Sequence, residues 1–463
     1  MAFGKKKKGK SEQEAQDLSE EILQAEQEEA SADMTIIEDL ENPDGTRGKK
    51  KKEKRHIGIG EWFCRFLAFV AVLASLYCTA VFSNIPFIKY WRDIYIETAM
   101  STMTHQWLAT AFIPGWIIDD VMDNVHAGLN QQENLESNWT TVWEEEEEEA
   151  TEAEQTVEVS GLDAEAFYSK YWELDSDSVR AYLNLNPDLL ADGYENLVIE
   201  DLKGKLALYA STGDQVLVID CPNNVIIVKI AEGSYQGKLA ICKNADQVDL
   251  AQAKNYGTRG ETALSYAERL NAVITVNASR FKDIGGHGNG STIKGSYVIN
   301  GEEIGNPVGT KESGWKFCGF KEDKKFYIGN LASIDKSEYI WGMECVPALI
   351  VNGEKVVDGS FGMGIQPRTS VGQCANGDFM FLVIDGRNPG WSIGCTVDDC
   401  AEIMLRYHCY QAMNMDGGSS SVMYYKTKQI TKCSSASGEG RYTPNAFVFL
   451  SADGSETEET VEE

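Results

Sequence analysis

The stretch QPRTSVGQCANGDFMFLVIDGRNPG, residues 366–390, decides the fold. Its apolar run FMFLVI has the length and the continuous hydrophobicity of a strand that is buried on both faces. A second strand-like segment precedes the run, and Asn376–Gly377 between the two is typical of a hairpin turn. The sequence therefore predicts a buried antiparallel pair here, and Asp385 is the first polar residue beyond it.

Short β-rich runs of the same kind lie on both sides of this hairpin. They are VLVID (216–220), NVIIVKI (224–230), AVITVNA (272–278), YVING (297–301), ALIVNGEKV (348–356) and AFVFLS (446–451). Two stretches predict helices instead: residues 262–270, and a segment that begins with Thr396 and Asp399 in capping-box spacing. We therefore expect an α+β fold, with a mixed, largely antiparallel sheet and helices packed on it.

Composition narrows the class of protein. The 463 residues include 72 acidic and 42 basic side chains, a formal net charge of −30, and 43% are hydrophobic. The hydrophobic content excludes a wholly disordered chain, and the acidity excludes a general nucleic-acid binder, which needs a basic face. Residues 131–160 carry 11 acids and no Lys or Arg. We predict an acidic linker at 131–160 and an acidic disordered tail at 452–463.

An apolar segment near the N-terminus predicts a single transmembrane helix. Residues 66–82, FLAFVAVLASLYCTAVF, carry no charge, and with its flanks the segment 57–85 is long enough to cross a bilayer. The basic cluster RGKKKKEKR before it predicts that residues 1–55 are a disordered cytoplasmic tail and that the rest of the chain lies outside. A cleaved signal peptide fits less well because the run begins too late. A buried globular helix fits less well because the run is apolar on all sides.

The segment that follows the anchor is rich in aromatic residues. Residues 86–130 predict helices that lie at the membrane interface close to the outer leaflet. A second span is disfavoured because polar residues and Pro114–Gly115 interrupt the segment. The globular domain is then predicted at 161–451, with its core at 257–450.

The eleven cysteines leave two alternatives open. Cys64 and Cys78 lie in or beside the predicted span, and the other nine are an odd number that cannot pair completely within one chain. Buried thiols and a few disulfides are both compatible with this pattern. No C-x-x-C pair occurs, so the sequence does not predict a structural zinc site.

Several apolar strands begin or end in polar clusters that could share one cleft. The candidate residues are Asn277, Arg280 and His287; Arg368 and Thr369; Asp385, Gly386 and Arg387; Asp416, Gly417, Gly418 and Ser419; and Asn445. Arginine side chains match phosphate oxygens, and successive glycine N–H groups can form an anion-binding nest. Carboxylates can stabilise a developing oxocarbenium ion or transfer a proton. Together these groups predict cleavage of a bond next to a phosphate.

Each of these features also has an ordinary structural explanation. Asp-Gly and Asn-Gly at strand ends are common in hairpins, and Asp385 taken alone fits that explanation better than catalysis. An Arg beside an Asp is usually a surface ion pair, His287 fits a solvated loop, and the run DGGSSS fits a flexible loop. The recurrence of one layout in several segments favours the functional interpretation.

Seven segments resemble the phosphodiester glycosidase family in order and spacing. They are GTRGETALSYAERLNAVITVNASRF, PALIVNGEKV, QPRTSVGQ, FLVIDGR, the helix that begins at Thr396, AMNMDGGSSSVM and PNAFVF. The resemblance implies a mixed α/β domain that hydrolyses a sugar-1-phosphodiester, with Asp385 and Asp416 as catalytic residues. It implies these substrate- or phosphate-binding positions: Asn277, Arg368, Thr369, Gly386, Arg387, Gly417, Gly418, Ser419 and Asn445.

Two positions depart from the pattern of the family. Relatives commonly have an aromatic or small residue at the position of Arg280, and Ser419 stands where a third glycine-like position is expected. Arg280 could contact the phosphate or fill the sugar pocket. The sugar preference of the family is therefore not carried over to this chain.

The predicted function is a membrane-anchored extracytoplasmic hydrolase that cleaves a sugar-1-phosphodiester of cell-envelope or exopolysaccharide glycans. In this hypothesis Arg368, Arg387 and the glycine nest hold the phosphodiester, while Asp416 and Asp385 flank the anomeric carbon. No cofactor is required, no metal ligands are assigned, and a divalent cation beside Asp416 is compatible but not demanded. The expected partners are a glycan or glycosyl-phosphate substrate and the membrane through residues 57–85, with no nucleic acid.

Two other classes of function stay open at this point. The domain could be a non-catalytic module that binds anionic envelope polysaccharide with the same arginines and nest. It could also be an assembly factor for envelope polymers that recruits other membrane proteins through its juxtamembrane helices.

Overall fold

One helix in the described part of the chain is long and apolar enough to cross a membrane. A computed structural model describes residues 59–102, 105–132, 134–140, 163–283, 288–306 and 314–452. Helix α1 (Ile59–Phe82) reaches a mean hydropathy of 1.9, and almost all of its residues are exposed. The predicted tails, most of the predicted acidic linker and His287 lie outside the described residues.

The chain divides into two compact units, Met1–Ser75 and Leu76–Glu463. The helices that follow α1 are α2 (Pro86–Met100), α3 (Trp107–Thr110), α4 (Gly115–Gln131), α5 (Ala164–Lys170), α6 (Ser176–Leu185), α7 (Ala263–Leu270) and α8 (Val397–Arg406). Helices α2 to α4 share a small apolar core that includes Ile96, Ile117 and Val121. The segment after α1 is therefore helical, as its pattern predicts.

The two helices that the sequence predicts in the sheet domain are confirmed, and their caps explain where they begin. Thr262 accepts a hydrogen bond from the Ser265 N–H at 3.2 Å at the start of α7. At the start of α8, Thr396 Oγ1 accepts from the Asp399 N–H at 3.1 Å, and the Asp399 carboxylate accepts from the Thr396 N–H at 2.7 Å. This capping box satisfies two donors that a helix leaves unpaired at its N-terminus.

Antiparallel sheets form the rest of the domain. The described strands are β1 (Val198–Glu200), β2 (Gln215–Asp220), β3 (Val225–Glu232), β4 (Tyr235–Cys242), β5 (Val248–Gln252), β6 (Ala272–Asn277), β7 (Gly295–Ile299), β8 (Glu302–Asn306), β9 (Lys316–Lys321), β10 (Phe326–Gly329), β11 (Tyr339–Cys345), β12 (Ala348–Val351), β13 (Glu354–Lys355), β14 (Arg368–Cys374), β15 (Phe379–Ile384), β16 (Cys409–Asn414), β17 (Met423–Tyr425), β18 (Lys428–Gln429) and β19 (Asn445–Leu450). A nine-stranded sheet has the order β1-β2-β3-β4-β15-β14-β16-β12-β13. Two five-stranded sheets have the orders β10-β9-β11-β7-β8 and β18-β17-β6-β19-β5. The predicted α+β class is confirmed.

The predicted hairpin lies in the middle of the nine-stranded sheet as β14 and β15. Its register pairs Arg368 with Ile384, and every residue of both strands is buried. Strands β15 and β16 flank β14 and both run antiparallel to it. Asp385 and Asp416, which follow the ends of β15 and β16, therefore lie on the edge of the sheet where β14 begins.

The two faces of the large sheet pack against different layers. Residues such as Ile226 and Met380 contribute to one core that includes residues of α5, α6 and α8. Residues such as Ile227 and Phe381 contribute to a second core with residues of the two five-stranded sheets. Apolar residues on both faces explain why the strands read as continuous hydrophobic runs instead of alternating ones.

The first residues of the predicted acidic linker pack on the sheet domain. Gln132 donates hydrogen bonds to the carbonyls of Ala348 and Val356 at 3.0 and 2.9 Å. Trp139 is buried and lies 5.0 Å from the ring of Tyr410. These residues precede the acidic run of the linker and include an aromatic ring to bury, which explains why they pack.

All eleven cysteines carry free thiols, and the nine that follow the predicted span are buried. Cys395 and Cys400 lie with their sulfur atoms 3.5 Å apart, in non-bonded contact. Of the two alternatives that the sequence left open, the structure contains buried thiols.

Candidate functional site

Three predicted site residues meet where two sheets join. The Asn277 side chain donates to the main-chain carbonyl of Asp416 at 2.6 Å, and its oxygen accepts from the Thr369 hydroxyl at 2.8 Å. The same oxygen accepts from the Val422 N–H at 3.2 Å. Asn277 and Thr369 are buried, and their side chains form hydrogen bonds within the protein, so they fix the position of Asp416.

The Asp416 carboxyl is half-buried at this junction. Burial raises its pKa, while a hydrogen bond from the Ser420 hydroxyl and the positive charges of Arg280 and Arg441 oppose the shift. Asp283 adds a smaller repulsion in the same direction as burial. A raised pKa makes this carboxylate a stronger base than the carboxylate of an ordinary aspartate.

Arg280 presents an unused hydrogen-bond donor beside this carboxyl. Its guanidinium lies over the ring of Trp315 at 5.7 Å and approaches the sulfur of Met363 at 4.0 Å. Its Nε–H is buried and has no partner among the described residues. Buried donors in proteins are nearly always paired, so an unpaired one on a cation is a position where an anionic ligand can bind.

The turn after Asp416 brings a second guanidinium to the site. Gly418 has φ +65°, and a side chain there would come within 3.0 Å of the Arg387 guanidinium, so the turn requires glycine. The Gly418 N–H donates to the Pro367 carbonyl at 2.9 Å. This donor of the predicted anion-binding nest is therefore already paired within the protein. Asp416 and Arg387 are close enough to interact electrostatically.

A supporting loop, residues 358–367, orients Arg387. The Gln366 oxygen accepts two hydrogen bonds from Arg387, from Nε at 2.9 Å and from Nη2 at 2.6 Å. This forked contact fixes the plane of the guanidinium while the residue remains accessible to solvent. A planar cation held in one orientation is suited to binding two oxygens of a phosphate at once.

Arg368 forms hydrogen bonds with the main chain of the same loop. Its side chain donates to the carbonyls of Cys395 at 3.2 Å, Met363 at 2.9 Å and Gly364 at 2.6 Å. The residue is 4% exposed, and burial lowers the pKa of its guanidinium. The structure therefore places Arg368 beside the site, with its guanidinium directed at main-chain carbonyls.

Asp385 is engaged in a comparable way. Its two carboxylate oxygens accept hydrogen bonds from Trp391 Nε1 and from the Lys432 N–H, both at 2.8 Å. Burial raises its pKa, and these two hydrogen bonds oppose the shift. Gly386, next in the chain, packs against Pro367 too closely for any side chain. Asp385 thus connects the loop that carries Arg387 to the segment around Lys432.

The remaining predicted positions lie around this core. Asn445 is buried, and its oxygen accepts from the Ser279 N–H at 3.0 Å. Gly417 approaches the Pro367 carbonyl, and Ser419 is half-buried with its carbonyl accepting from the Cys433 thiol at 3.3 Å. The structure therefore brings together Asp416, Arg387 and the residue that departs from the family pattern, Arg280. The catalytic and binding roles of these residues stay predictions.

Sequence reasoning did not identify the helix that supports the site. The Ile365 N–H of the supporting loop donates to Thr98 Oγ1 on α2 at 3.0 Å. Gln366 donates to the Thr98 carbonyl at 3.3 Å and to the Ser101 hydroxyl at 3.2 Å. The signal in the sequence was a cluster of polar residues, Glu97, Thr98 and Ser101, at the end of the helical run that begins at Pro86.

Glu97 adds a titratable group to this contact. Its carboxylate accepts hydrogen bonds from the Ser360 hydroxyl and the Gly364 N–H. Burial and the charge of Asp93 raise the pKa of Glu97 to about 7, against the opposing charge of Lys89. The contact between α2 and the supporting loop is therefore sensitive to pH near neutrality.

The described residues contain no group of three or more His, Cys, Asp or Glu side chains placed to hold a metal ion. The candidate site is instead built from one carboxylate, two guanidinium groups and a glycine turn. These groups can bind an anion and exchange a proton at the same place.

Comparisons with known proteins find a family that matches part of the sheet domain. Residues 270–450 match the family described as phosphodiester glycosidase. The uncharacterized SPbeta prophage-derived protein YomE of Bacillus subtilis (strain 168) is 25% identical over 186 residues, which are 38% of this chain and 28% of that protein. The chain thus spans less than a third of this curated relative.

Two solved structures resemble the chain at low identity. One is the zebrafish N-acetylglucosamine-1-phosphodiester alpha-N-acetylglucosaminidase catalytic domain, auto-inhibited by its pro-peptide: TM-score 0.38, 14% identity, 49% of this chain and 82% of that one. The other is a hypothetical protein from Synechocystis: TM-score 0.38, 12% identity, 52% of this chain and 65% of that one. The resemblance to the phosphodiester glycosidase family therefore lies in residues 270–450, within the sheet domain.

Proposed function

We propose that this chain is a membrane-anchored hydrolase that acts outside the cytoplasm. It cleaves the glycosidic C–O bond of a sugar-1-phosphodiester, in glycans of the cell envelope or of exopolysaccharide. The observation that carries the proposal is that Asp416 interacts electrostatically with the guanidinium groups of both Arg280 and Arg387, in a domain that matches the phosphodiester glycosidase family.

The two arginines bind the phosphodiester. Arg387 is held in one plane by Gln366 and offers its accessible edge to the phosphate oxygens. Arg280 supplies the buried Nε–H that has no protein partner among the described residues. Both cations stabilise the negative charge that grows on the phosphate as the bond to the sugar breaks.

Asp416 acts as the general base of the reaction. A water oxygen bonds to the anomeric carbon as the bond from that carbon to the phosphate oxygen breaks, and its electron pair stays on the phosphate. The Asp416 carboxylate accepts the proton of the attacking water, and the products are a free sugar and a phosphate monoester. Because the phosphate is already a good leaving group, one carboxylate is sufficient for the proton transfer in this scheme.

We assign a positioning role to Asp385. Both of its carboxylate oxygens accept hydrogen bonds from the protein, so direct contact with the anomeric carbon would require breaking one of them. Through Trp391 and the Lys432 main chain, Asp385 instead fixes the loop that carries Arg387. This assignment differs from a mechanism with two reacting carboxylates, and variants of the two residues distinguish the two schemes.

The membrane anchor is helix α1. Its 24 residues extend about 36 Å, which exceeds the roughly 30 Å of a bilayer core. The basic cluster RGKKKKEKR before it supports a cytoplasmic N-terminus and an outer location for the sheet domain.

A non-catalytic binding module is the second candidate. The engagement of Asp385 favours it, because one available carboxylate among arginines is also what a phosphate-binding site without turnover would contain. The assembly-factor alternative gains no separate support from the site.

The test uses the purified full chain, because α2 supports the site and a fragment of the sheet domain alone would lack it. The protein in lipid nanodiscs is incubated with a panel of sugar-1-phosphodiesters, and free reducing sugar is measured. Asp416→Asn should abolish hydrolysis and retain binding of the same compound, and Asp335→Asn, at an exposed cap, should behave as the parent. Binding by the parent protein without release of any sugar would replace the hydrolase with the binding module.

A further inference from the structure

An apolar cavity lies at the junction of α1, α2 and the segment after α3. Its volume is about 620 Å³, within the usual range for small-ligand sites. Val81 from the last turn of α1 forms part of the wall, and Ile88, Trp91 and Phe112 form other parts. The cavity is separate from the candidate active site.

The polar atoms in the cavity wall are used by the protein itself. The Tyr77 hydroxyl donates to the Phe112 carbonyl at 2.7 Å, and the Tyr95 hydroxyl donates to the Leu108 carbonyl at 2.8 Å. Arg92 donates to the Val81 carbonyl at 3.0 Å and forms an ion pair with Asp93 at 2.8 Å. The surface of the wall is therefore apolar. A hydrocarbon chain is the kind of ligand that it can bind without breaking these internal hydrogen bonds.

The position of the cavity selects a lipid as the source of that hydrocarbon. The wall includes the end of the helix that we place in the membrane, so in this arrangement the cavity lies next to one end of the span. The aromatic residues Phe87, Trp91 and Phe112 of its wall are 72%, 48% and 56% exposed. Exposed aromatic rings at this depth are typical of membrane-interface contacts.

One helix connects the cavity to the active site. The first turns of α2 supply Ile88 and Trp91 to the cavity, and its last turn supplies Thr98 to the supporting loop. Tyr95 of the cavity wall lies about one helical turn before Thr98. The Gln366 side chain then joins the Thr98 carbonyl to the Arg387 guanidinium.

We propose that the cavity binds the hydrocarbon chain of the substrate, and that the domain therefore hydrolyses a glycosyl phosphodiester carried on a long-chain membrane lipid. This inference rests on the proposed function and names its substrate class. The lipid tail occupies the cavity while the phosphate lies between Arg280 and Arg387. Hydrolysis transfers a water oxygen to the anomeric carbon and leaves the lipid with a phosphate monoester.

A binding experiment tests the inference without turnover. Full-length protein in nanodiscs is photolabelled with hexadecyl phosphate that carries a diazirine at the chain end, and the labelled peptides are mapped. Labels within residues 77–113 that unlabelled hexadecyl phosphate competes away support the proposal. Equal labelling by a diazirine phosphatidylcholine that hexadecyl phosphate does not displace would identify a bulk-lipid site, and crosslinks between two copies would identify a dimer contact. Either result overturns the proposal.

A kinetic experiment separates this inference from the proposed function. Ile88→Trp fills the cavity, and Ile85→Trp adds the same ring at an exposed position outside the wall. With a hexadecyl sugar phosphodiester, Ile88→Trp should raise KM at least tenfold over Ile85→Trp. With the ethyl analogue the two variants should have the same KM.

The possible results point to different failures. An equal KM for the two variants with the hexadecyl substrate overturns the lipid-tail assignment and leaves the hydrolase intact. Competed labelling without hydrolysis of any substrate overturns the hydrolase and leaves a lipid-phosphate site. The mapping on the unmodified protein tests the lipid-tail assignment even if Ile88→Trp does not fold.

Discussion

A single methyl group at Gly364 should detach the supporting loop from α2. Gly364 has φ +56°, and a Cβ there would lie 2.5 Å from the main-chain N and Cα of Thr98, atoms that cannot move aside. Gly359, in the same loop, has φ +59° and nothing within 4 Å of a Cβ. Alanine at either position costs about 1–2 kcal/mol for the left-handed backbone. Only Gly364→Ala also forces the two elements apart.

The additional cost follows from the contacts that separation breaks. Hydrogen bonds join Ser360 to Glu97, Ile365 to Thr98, and Gln366 to both Thr98 and Ser101. At about 0.5–1.5 kcal/mol each, and with some groups regaining water, their loss costs about 2–4 kcal/mol. The main-chain N–H of Ile365 donates to Thr98. Its hydrogen should then exchange with solvent about 30- to 1,000-fold faster in Gly364→Ala than in Gly359→Ala.

Hydrogen exchange with mass spectrometry measures this difference in the full chain, and sugar release measures its consequence. Because the same loop orients the Arg387 guanidinium, Gly364→Ala should also lower kcat/KM at least tenfold relative to Gly359→Ala. Equal exchange in the two variants would show that α2 does not hold the loop. Faster exchange with unchanged kcat/KM would show that the loop does not orient the arginine.

Three further substitutions test other parts of the site. Gln366→Met should lower kcat/KM at least tenfold, whereas Gln373→Met, an equally buried glutamine with three hydrogen bonds at the other end of β14, should lower only the melting temperature; equal kinetic losses would refute the orienting role. Asp385→Asn should reduce the free energy of unfolding by about 1–3 kcal/mol, because an amide N–H must face one of its two donors, while Asp416→Asn should not destabilise the fold, because burial raises the pKa of that carboxyl; urea unfolding distinguishes them. The pKa of Glu97 is raised to about 7, so the folded state favours its neutral form: this stabilisation of the fold is fully present below about pH 4.5, and up to about 2 kcal/mol, discounted for the partial exposure of the carboxyl, is lost as pH rises through 7. Glu97→Gln should remove that pH dependence from the melting temperature between pH 5 and 8, and an unchanged dependence would assign it to another group.

The sheet and its helices were predictable because local signals and burial agree. The run FMFLVI is apolar at every position since the strand it forms is covered on both faces, and Asn376–Gly377 supplies the turn. The helix at 397–406 begins where the capping box places it. Polar residues at the ends of β14, β15 and β16 come together because antiparallel neighbours alternate in direction, which the pattern of hairpins implies.

The function of each polar side chain was not predictable, because it depends on donors and acceptors from distant segments. Arg368 and Arg387 look alike in the sequence. The Arg368 guanidinium donates to main-chain carbonyls, whereas the Arg387 guanidinium is bound by the single side chain of Gln366 and remains accessible to solvent. Asp385 and Asp416 differ for the same reason: Trp391 and Lys432 occupy both oxygens of the first carboxylate. A motif fixes which residue types reach the edge of a sheet, but hydrogen-bond saturation decides which of them can still bind a ligand.

The contact between α2 and the supporting loop extends this argument to the membrane. The aromatic residues of the juxtamembrane segment predict that it lies at a membrane interface. The role of Thr98 and Ser101 becomes visible only through their hydrogen bonds with Gln366, which is more than 260 residues away in the sequence. Because Gln366 also accepts hydrogen bonds from the Arg387 guanidinium, we expect a displacement of α2 to change the geometry of the candidate site. Helix α2 is therefore part of the support of the candidate site, and an assay on the isolated sheet domain would measure a protein without this helix.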